Sequence, residues 1–296
     1  MKVLITGGLG FLGRHLTQEL LRHRDGIEIH LLSRRSFSES SVIHHKGDIR
    51  VLQDVNDVVR KVSPDWIFHL AADLRRDRDA RLHRELMSTN VNGTLNLLSA
   101  ASEIPIKAFV AVGSFEEYGN APVPFAEDGP LLPASPYGAS KAAASLAVIT
   151  YGKNVIPATV IRFPLVYGFG QTQPSFMSKT LSAYKENHTF LMSPGDQTRE
   201  FLHVDDAVRA LVRGAENVAT CSGEAINVCR SEEISMLAVG DLIAQVTGRS
   251  NLIRFGMTPH RANEQMRYVG LNHKMKLLSF EPEISLEQGI RRLFVT

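Results

Sequence analysis

Two hydrophobic rhythms alternate along the first half of the chain. Short apolar runs over 2–6, 28–32, 66–70, 108–112 and 158–163 predict strands. Between them apolar positions recur every third or fourth residue over 11–23, 52–62, 86–101 and 137–150, which predicts helices. The strands are apolar throughout instead of alternating, as required when helices cover both faces of a sheet. Strands separated by crossovers of this length predict an α/β fold built on a doubly wound parallel sheet.

After Tyr167 the rhythm breaks. Residues 168–175 read as a loop and 176–186 as a helix; 190–192, 225–228 and 252–255 read as short strands, and 205–215 and 234–247 as helices. These pieces predict a smaller second domain over the carboxyl edge of the sheet, where ligands of such sheets bind. The expected division is 1–166 and 167–296. No repeat, low-complexity tract or linker marks the boundary, so the two are expected to interleave.

Composition narrows the partners. The chain has 296 residues, ample for a sizeable core, and a formal charge of +2. That balance gives no electrostatic case for nucleic acid or a membrane surface. Cys221 and Cys229 match no metal motif and make no disulfide framework, so two reduced thiols and no metal are expected. The first strand begins at Lys2, which leaves no room for a signal peptide, and no apolar run approaches the ~20 residues that span a bilayer. A soluble, cytoplasmic protein is the expectation.

The first strand runs directly into Thr6-Gly7-Gly8-Leu9-Gly10-Phe11-Leu12-Gly13 and then into a helix. Glycines at this spacing seat a pyrophosphate. Gly7 permits the tight turn, Gly10 lets the backbone approach the phosphates, and Gly13 lets the helix pack on the strand. The free N–H groups and positive dipole end of that helix face the anion. A ligand-free glycine turn is the plain alternative, and the flanking strand and helix argue against it. Residues 1–166 are thus read as a dinucleotide-binding (Rossmann) domain and 167–296 as mainly substrate-binding.

The strand over 28–32 ends in Ser33-Arg34-Arg35, with no carboxylate to bind a ribose 2′-hydroxyl. A guanidinium there suits a 2′-phosphate, so Arg34 favours NADP, with NAD as the alternative. Solvated surface charges are the plain reading of both arginines. Asp48-Ile49 falls where a side chain reaches the adenine amine; a helix N-cap region explains Asp48 equally well.

Tyr137-Gly138-Ala139-Ser140-Lys141 opens a predicted helix, and its tyrosine and lysine share one face. A free tyrosine titrates near ~10; bringing it to ~7 takes about 4 kcal/mol of charge stabilisation, which a close ammonium and a cationic nicotinamide can supply. The phenolate then takes a proton from a sugar hydroxyl, or returns it. Ser114 closes the strand Val110-Ala111-Val112-Gly113-Ser114, at the edge where substrate lies. A tyrosine and lysine four apart are common on surface helices; the ordered set of glycine turn, Ser114, Tyr137 and Lys141 is not.

These residues together resemble the extended short-chain dehydrogenase/reductase family of sugar-nucleotide epimerases, dehydratases and reductases. The likeness runs over essentially the whole chain. Residues 6–13, including Phe11 and Leu12, resemble the family's cofactor turn, and His69-Leu70-Ala71-Ala72 its segment beside the cofactor. Thr89-Asn90-Val91-Asn92-Gly93-Thr94 resembles the following helix. Ser114, Tyr137 and Lys141 match the catalytic residues, and Arg162 with Val166-Tyr167-Gly168 matches the next strand and its arginine. Arg199 through Asp206 resemble the segment that contacts the nucleotide diphosphate, Arg261 and Arg267 the late substrate-side arginines, and 277–293 the C-terminal cap. Two guanidinium forks, Arg199 and Arg261, are the expected diphosphate ligands; surface ion pairs are their plain alternative. Arg162 is expected to act structurally under the site.

The chain also departs from the pattern. Leu165 stands where the family carries an asparagine facing the diphosphate, and Arg261-Ala262-Asn263-Glu264 replaces an arginine–proline–glycine–aspartate run. Arg75-Arg76-Asp77-Arg78 reads as a solvated loop. Phe115-Glu116 stands where glucose-type dehydratases carry aspartate–glutamate, so Glu116 is the candidate extra base. Glu116 and Glu117 read equally as part of a solvated loop.

The run from Gly113 to Gly119, with Asn227-Val228-Cys229, resembles most the reductases of nucleotide-linked 4-keto-6-deoxyhexoses, closest to GDP-4-keto-6-deoxymannose reductase-like members. The resemblance implies reduction of a 4-keto(-6-deoxy)hexose by NADPH. A redox-neutral 4-epimerase or 4,6-dehydratase is the alternative, and a non-catalytic NADP sensor or scaffold a lesser one that the retained Ser114, Tyr137 and Lys141 oppose. It also implies a homodimer built on the helices over 86–101 and 137–150.

Overall fold

The structure is a computed structural model that describes residues 1–23, 26–36, 39–75, 79, 81–171, 174–250, 252–260 and 264–294. Its strands in chain order are β1 (Lys2–Thr6), β2 (Glu28–Ser33), β3 (Ile43–Lys46), β4 (Trp66–His69), β5 (Ala108–Ser114), β6 (Ala158–Phe163), β7 (Leu165–Tyr167), β8 (Phe190–Leu191), β9 (Thr198–Arg199), β10 (Phe201–His203), β11 (Ala225–Asn227), β12 (Ile234–Ser235) and β13 (Ile253–Arg254). The α-helices are α1 (Phe11–His23), α2 (Leu52–Val62), α3 (Arg81–Leu86), α4 (Gly93–Ser102), α5 (Pro136–Asn154), α6 (Phe176–Glu186), α7 (Val204–Glu216), α8 (Val218–Cys221), α9 (Met236–Thr247) and α10 (Leu286–Phe294).

Seven strands pair in the order β11-β6-β5-β4-β1-β2-β3, every pairing parallel. The chain winds outward from β1 to β3, then returns and winds the other way from β4. The switch point is therefore between the carboxyl ends of β1 and β4, where Thr6 pairs with His69. Ligands of doubly wound sheets bind in that crevice.

Successive strand residues enter opposite cores, as the period of two demands. Val3 and Ile5 pack with Leu16 and Leu20 of α1 and with Val208 and Leu211 of α7. Leu4 packs on the other face with Val55 and Val59 of α2, Leu97 of α4 and Val148 of α5. Both faces are dry, which is why the strands carry no alternation. A third core, with Tyr167, Met177, Phe201, Val239, Ile243 and Ile290, joins the C-terminal elements. There β7 pairs with β10, which leads directly into α7.

The hydrophobic pattern places α1, α2, α6 and β6 at their observed bounds, and misses β3. Its two histidines hid it: His45 is buried, stacked on His30 of β2 with Nδ1 and Nε2 of the pair 2.9 Å apart. The helix expected over 86–101 is three pieces, α3, a π-helical turn at Met87–Asn92, and α4. Residues 234–235 are strand, not helix; they pair with β9, and α9 starts behind Ser235, whose hydroxyl accepts from the Ala238 N–H at 3.1 Å.

Candidate active site

The glycine turn is built as a cradle. Gly7 has φ +74°, a backbone only glycine adopts freely, and a Cβ there would sit 2.6 Å from Ala71 N. A Cβ on Gly13 would sit 2.4 Å from Gly7 O, so that glycine is what lets α1 lie against the turn. A Cβ on Gly10 would meet only Gly7 O, at 3.1 Å, leaving its outer side open to an approaching ligand. The turn closes by the Gly10 N–H donating to Gly7 O at 2.9 Å. Phe11 and Leu12 open α1 and pack on the core, with the Phe11 ring edge-on to His15. This backbone fits a dinucleotide pyrophosphate.

Beneath the turn lies a polar chain. The Ala71 N–H donates to Thr6 Oγ1 at 3.3 Å, and Thr6 Oγ1 and His69 Nδ1 are 2.7 Å apart. His69 Nε2 lies 2.9 Å from Thr94 Oγ1, and the Thr94 hydroxyl donates to Asn90 O at 2.6 Å. Because Thr94 spends its proton on Asn90, its oxygen accepts from His69 Nε2–H, and His69 Nδ1 accepts from Thr6. Burial, with a lesser push from the Lys141 charge, lowers the His69 pKa to about 3 and keeps the ring neutral. Leu70, Ala71 and Ala72 follow β4 at the rim of the crevice, half-buried.

Around the adenosine end, Arg34 lies exposed just past β2, and among the described residues it has no ion-pair partner. Asp48 is held by Arg50, Nη2 to Oδ2 2.5 Å, and does not cap the helix; the N-cap of α2 is Val51, without a side-chain bond. The N-cap reading of Asp48 is therefore corrected: its carboxylate turns back onto the Arg50 N–H at 3.0 Å. The Arg50 hydrogen bonds hold the Asp48 carboxyl below its ordinary range, with a smaller contribution from Arg34. Ile49 is buried against Gly93 of α4.

Ser114 ends β5 in extended conformation and caps the 3-10 turn Phe115–Glu117. Its Oγ accepts from the Glu116 N–H at 3.2 Å. Helix α5 starts behind Ser135, whose hydroxyl accepts from the Gly138 N–H at 3.0 Å, with Pro136 at the first helical position. A Cβ on Gly138 would sit 2.4 Å from Glu116 O, so the helix start lies directly on the Ser114 turn. One turn on, the Lys141 ammonium donates to Val112 O at 2.6 Å. The elements that carry Ser114, Glu116, Tyr137 and Lys141 thus meet at the carboxyl end of β5, with Tyr137 and Lys141 both buried. Burial lowers the Lys141 pKa, and the Glu117 charge opposes that.

The wide turn at Met87–Asn92 aims Asn90 into the same place. Its amide donates to Asp73 O at 3.1 Å and to Ser140 Oγ at 2.8 Å, and the Ser140 hydroxyl donates to Tyr137 O at 2.8 Å. π-helical turns recur at functional sites. Sequence reading gave Asn90 no such part.

Glu117 is not in a solvated loop. It is 0% exposed and paired with Arg162, 2% exposed, Nε to Oε2 2.8 Å. Arg162 Nη1 donates to Tyr118 Oη at 2.9 Å, and the Tyr118 hydroxyl donates to Asn227 Oδ1 at 2.7 Å. The Asn227 amide then donates to Phe125 O and Leu271 O at 3.1 and 2.8 Å. One buried network therefore runs from the Ser114 turn to the C-terminal segment. The available signal was Arg162 itself: an arginine inside an all-buried strand needs a carboxylate.

Of the expected substrate arginines, Arg261 lies outside the described residues, as do Arg76, Asp77 and Arg78. Arg199 donates to Thr198 O and Gln265 O, both 2.8 Å, and pairs with Glu264. Arg267 is a surface partner of Glu233, and Arg75 is held by Asp73 and Glu85. Among the described residues no group of three His, Cys, Asp or Glu is arranged to hold a metal, and no helix is long and apolar enough to cross a membrane.

The model of the NAD dependent epimerase/dehydratase family matches residues 3–229. The chain is 31% identical to the low-salt glycan biosynthesis protein Agl12 of Haloferax volcanii, over 98% of this chain and 96% of that one. It is 30% identical to the UDP-N-acetyl-alpha-D-glucosaminuronate decarboxylase of Bacillus cytotoxicus, over 98% and 95%. Among solved structures, MoeE5 in complex with UDP-glucose and NAD superposes with a TM-score of 0.89 at 26% identity, over 100% of this chain and 98% of that one. A variant UDP-glucuronic acid 4-epimerase from Bacillus cereus, in complex with a UDP-4-deoxy-4-fluoro sugar and NAD, does so with 0.89 at 25%, over 100% and 98%. The extent of these matches, on a parallel sheet whose glycine cradle lies at its switch point, means that the chain belongs to the NAD-dependent epimerase/dehydratase family and is an enzyme of that class.

Proposed function

We propose that this enzyme carries out hydride transfer at C4 of a nucleotide-linked hexose, with Tyr137 as the proton-transfer group. The observation that carries this reading is the buried Lys141 ammonium, fixed on Val112 O at 2.6 Å beside the end of β5 and one helical turn from Tyr137. A buried cation at that spacing favours the phenolate form of Tyr137. Ser114 Oγ already accepts the Glu116 N–H, which leaves its proton to donate to the reacting sugar oxygen. Gly7, Gly10, Phe11, Leu12, Gly13, Asp48, Ile49, Leu70, Ala71 and Ala72 would hold the dinucleotide, with Lys141 and Tyr137 against its nicotinamide ribose. When bound, the dinucleotide supplies or takes up the hydride. Arg199 and Arg261 are the proposed ligands of the substrate diphosphate; Arg199 would exchange Glu264 for it.

Position 4 is supported by relatives: a dTDP-D-glucose 4,6-dehydratase from Bos taurus and a UDP-glucuronate 4-epimerase from Thermodesulfobacterium geofontis, 28% and 27% identical. Their names favour a redox-neutral cycle, in which Glu116 acts as an additional base. Net reduction of a 4-keto(-6-deoxy)hexose by NADPH is the second reading, and Arg34 favours it, because an exposed guanidinium just past β2 suits a 2′-phosphate. Absorbance at 340 nm separates the two. Turnover without net change supports the cycle, whereas one NADPH consumed per keto-sugar supports the reductase. Tyr137→Phe should lower kcat by at least about a thousandfold under either; an active Tyr137→Phe enzyme sinks the proposal. Leu95 of α4 and Leu146 of α5, 39% and 54% exposed, support a homodimer through these helices, which light scattering would test.

A further inference from the structure

Glu117 is buried, fully engaged and unused by the chemistry above. Its Oε1 accepts from the Ser114 N–H at 2.8 Å and from the Ser145 hydroxyl at 2.9 Å, while Oε2 accepts from Arg162 Nε at 2.8 Å. Ser145 stands one helical turn beyond Lys141, which stands one turn beyond Tyr137, so the three share a face of α5. Gly113 provides the room: a Cβ there would lie 2.9 Å from Glu117 Oε1 and 2.7 Å from Arg162 Cγ. We propose that Glu117 is a positioning residue for hydride transfer: its carboxylate ties the strand end bearing Ser114 to the helix bearing Tyr137 and Lys141, and balances the charge of the buried ammonium. This inference rests on the roles given to Tyr137 and Lys141 above.

The charges explain why a carboxylate is needed. Lys141 and Arg162 are buried cations, and Glu117 acts electrostatically on Lys141 to retain its proton against burial. With Glu117 ionised the cluster carries a single net positive charge, which disappears when Tyr137 gives up its proton. Without Glu117 two cations share a dry site, and the lysine is the one that can discharge. Geometry is lost as well, because the Ser114 N–H is left without its acceptor.

The test uses Glu117→Gln in the full-length protein, with three readouts across about pH 6 to 10: kcat and KM, dinucleotide affinity by titration without turnover, and thermal midpoint. The alkaline limb of kcat should move down by roughly one pH unit or more. Dinucleotide affinity should begin to fall at a correspondingly lower pH, while KM for the sugar at neutral pH changes by less than about threefold. A folded Glu117→Gln enzyme whose kcat and affinity profiles both match the parent overturns the proposal, even if its thermal midpoint drops. Should Glu117→Gln fail to fold, Glu117→Asp carries the test. It keeps the charge but withdraws the oxygens from Ser114, so kcat should fall at least about tenfold with the alkaline limb in place. Parental kcat in that variant overturns the proposal equally. An active Tyr137→Phe enzyme would instead condemn the underlying reading, which keeps the two failures distinct.

Discussion

His69 links the cofactor cradle to acid stability, and replacing it with Gln measures that link. The ring accepts from Thr6 and donates to Thr94, so a second ring proton has nowhere to go. Its pKa is lowered from 6.5 to about 3, first by burial and then by the Lys141 charge. A base with a depressed pKa favours the folded state in its neutral form. Its contribution is complete above the unfolded pKa of 6.5 and is lost as pH falls through the window from 6.5 toward 3. At pH 4.5 the unfolded ring lies two units below its pKa while the folded ring stays neutral, which amounts to about 2.7 kcal/mol at 1.36 kcal/mol per unit. Other groups titrate in the same window, so the informative quantity is a difference of differences. Urea unfolding at about pH 7.5 and pH 4.5 should show the parent losing roughly 2–3 kcal/mol more than His69→Gln. Equal losses in the two proteins would refute the assignment of His69 as a buried neutral relay.

Three further outcomes follow from the geometry. Gly13→Ala places a methyl 2.4 Å from Gly7 O and should weaken dinucleotide binding by about 3 kcal/mol, or more than a hundredfold, in a fluorescence titration; unchanged affinity would mean that the turn is not the seat. Arg162→Met leaves Glu117 buried without its cation and should cost about 3–5 kcal/mol in urea unfolding, much of it recovered in the double variant with Glu117→Leu; additive losses would contradict a direct pair. Arg34→Glu should shift the NADP-to-NAD preference toward NAD by at least about tenfold in binding assays, and an unchanged ratio would remove Arg34 from cofactor recognition.

Much of the architecture is legible in one dimension because burial is periodic. The α1 and α2 bounds, β1 and the glycine turn follow from local patterns, since each element's buried face repeats at its own geometric period. Tyr137 and Lys141 are readable as a pair for the same reason: four residues make one helical turn. Three-dimensional pairing decided what local pattern could not. β3 forms by parallel pairing with β2, and its His45 stacks on His30, a contact between polar residues that looked like loop. β11, three residues long, becomes the edge of the main sheet only through its pairing with β6 some sixty positions earlier. Arg199, read as a diphosphate ligand, turns out to be held by Glu264, and that ion pair is invisible to spacing. Glu117 is the clearest case. Two adjacent glutamates after a strand look alike in sequence, and the turn that follows Ser114 places one half-exposed at the site and the other wholly buried against Arg162. The chain alone set the fold class and the chemical groups, because these depend on residue type and short-range period. The tertiary structure alone settled which charges are buried together, because that depends on how strands far apart in sequence lie side by side.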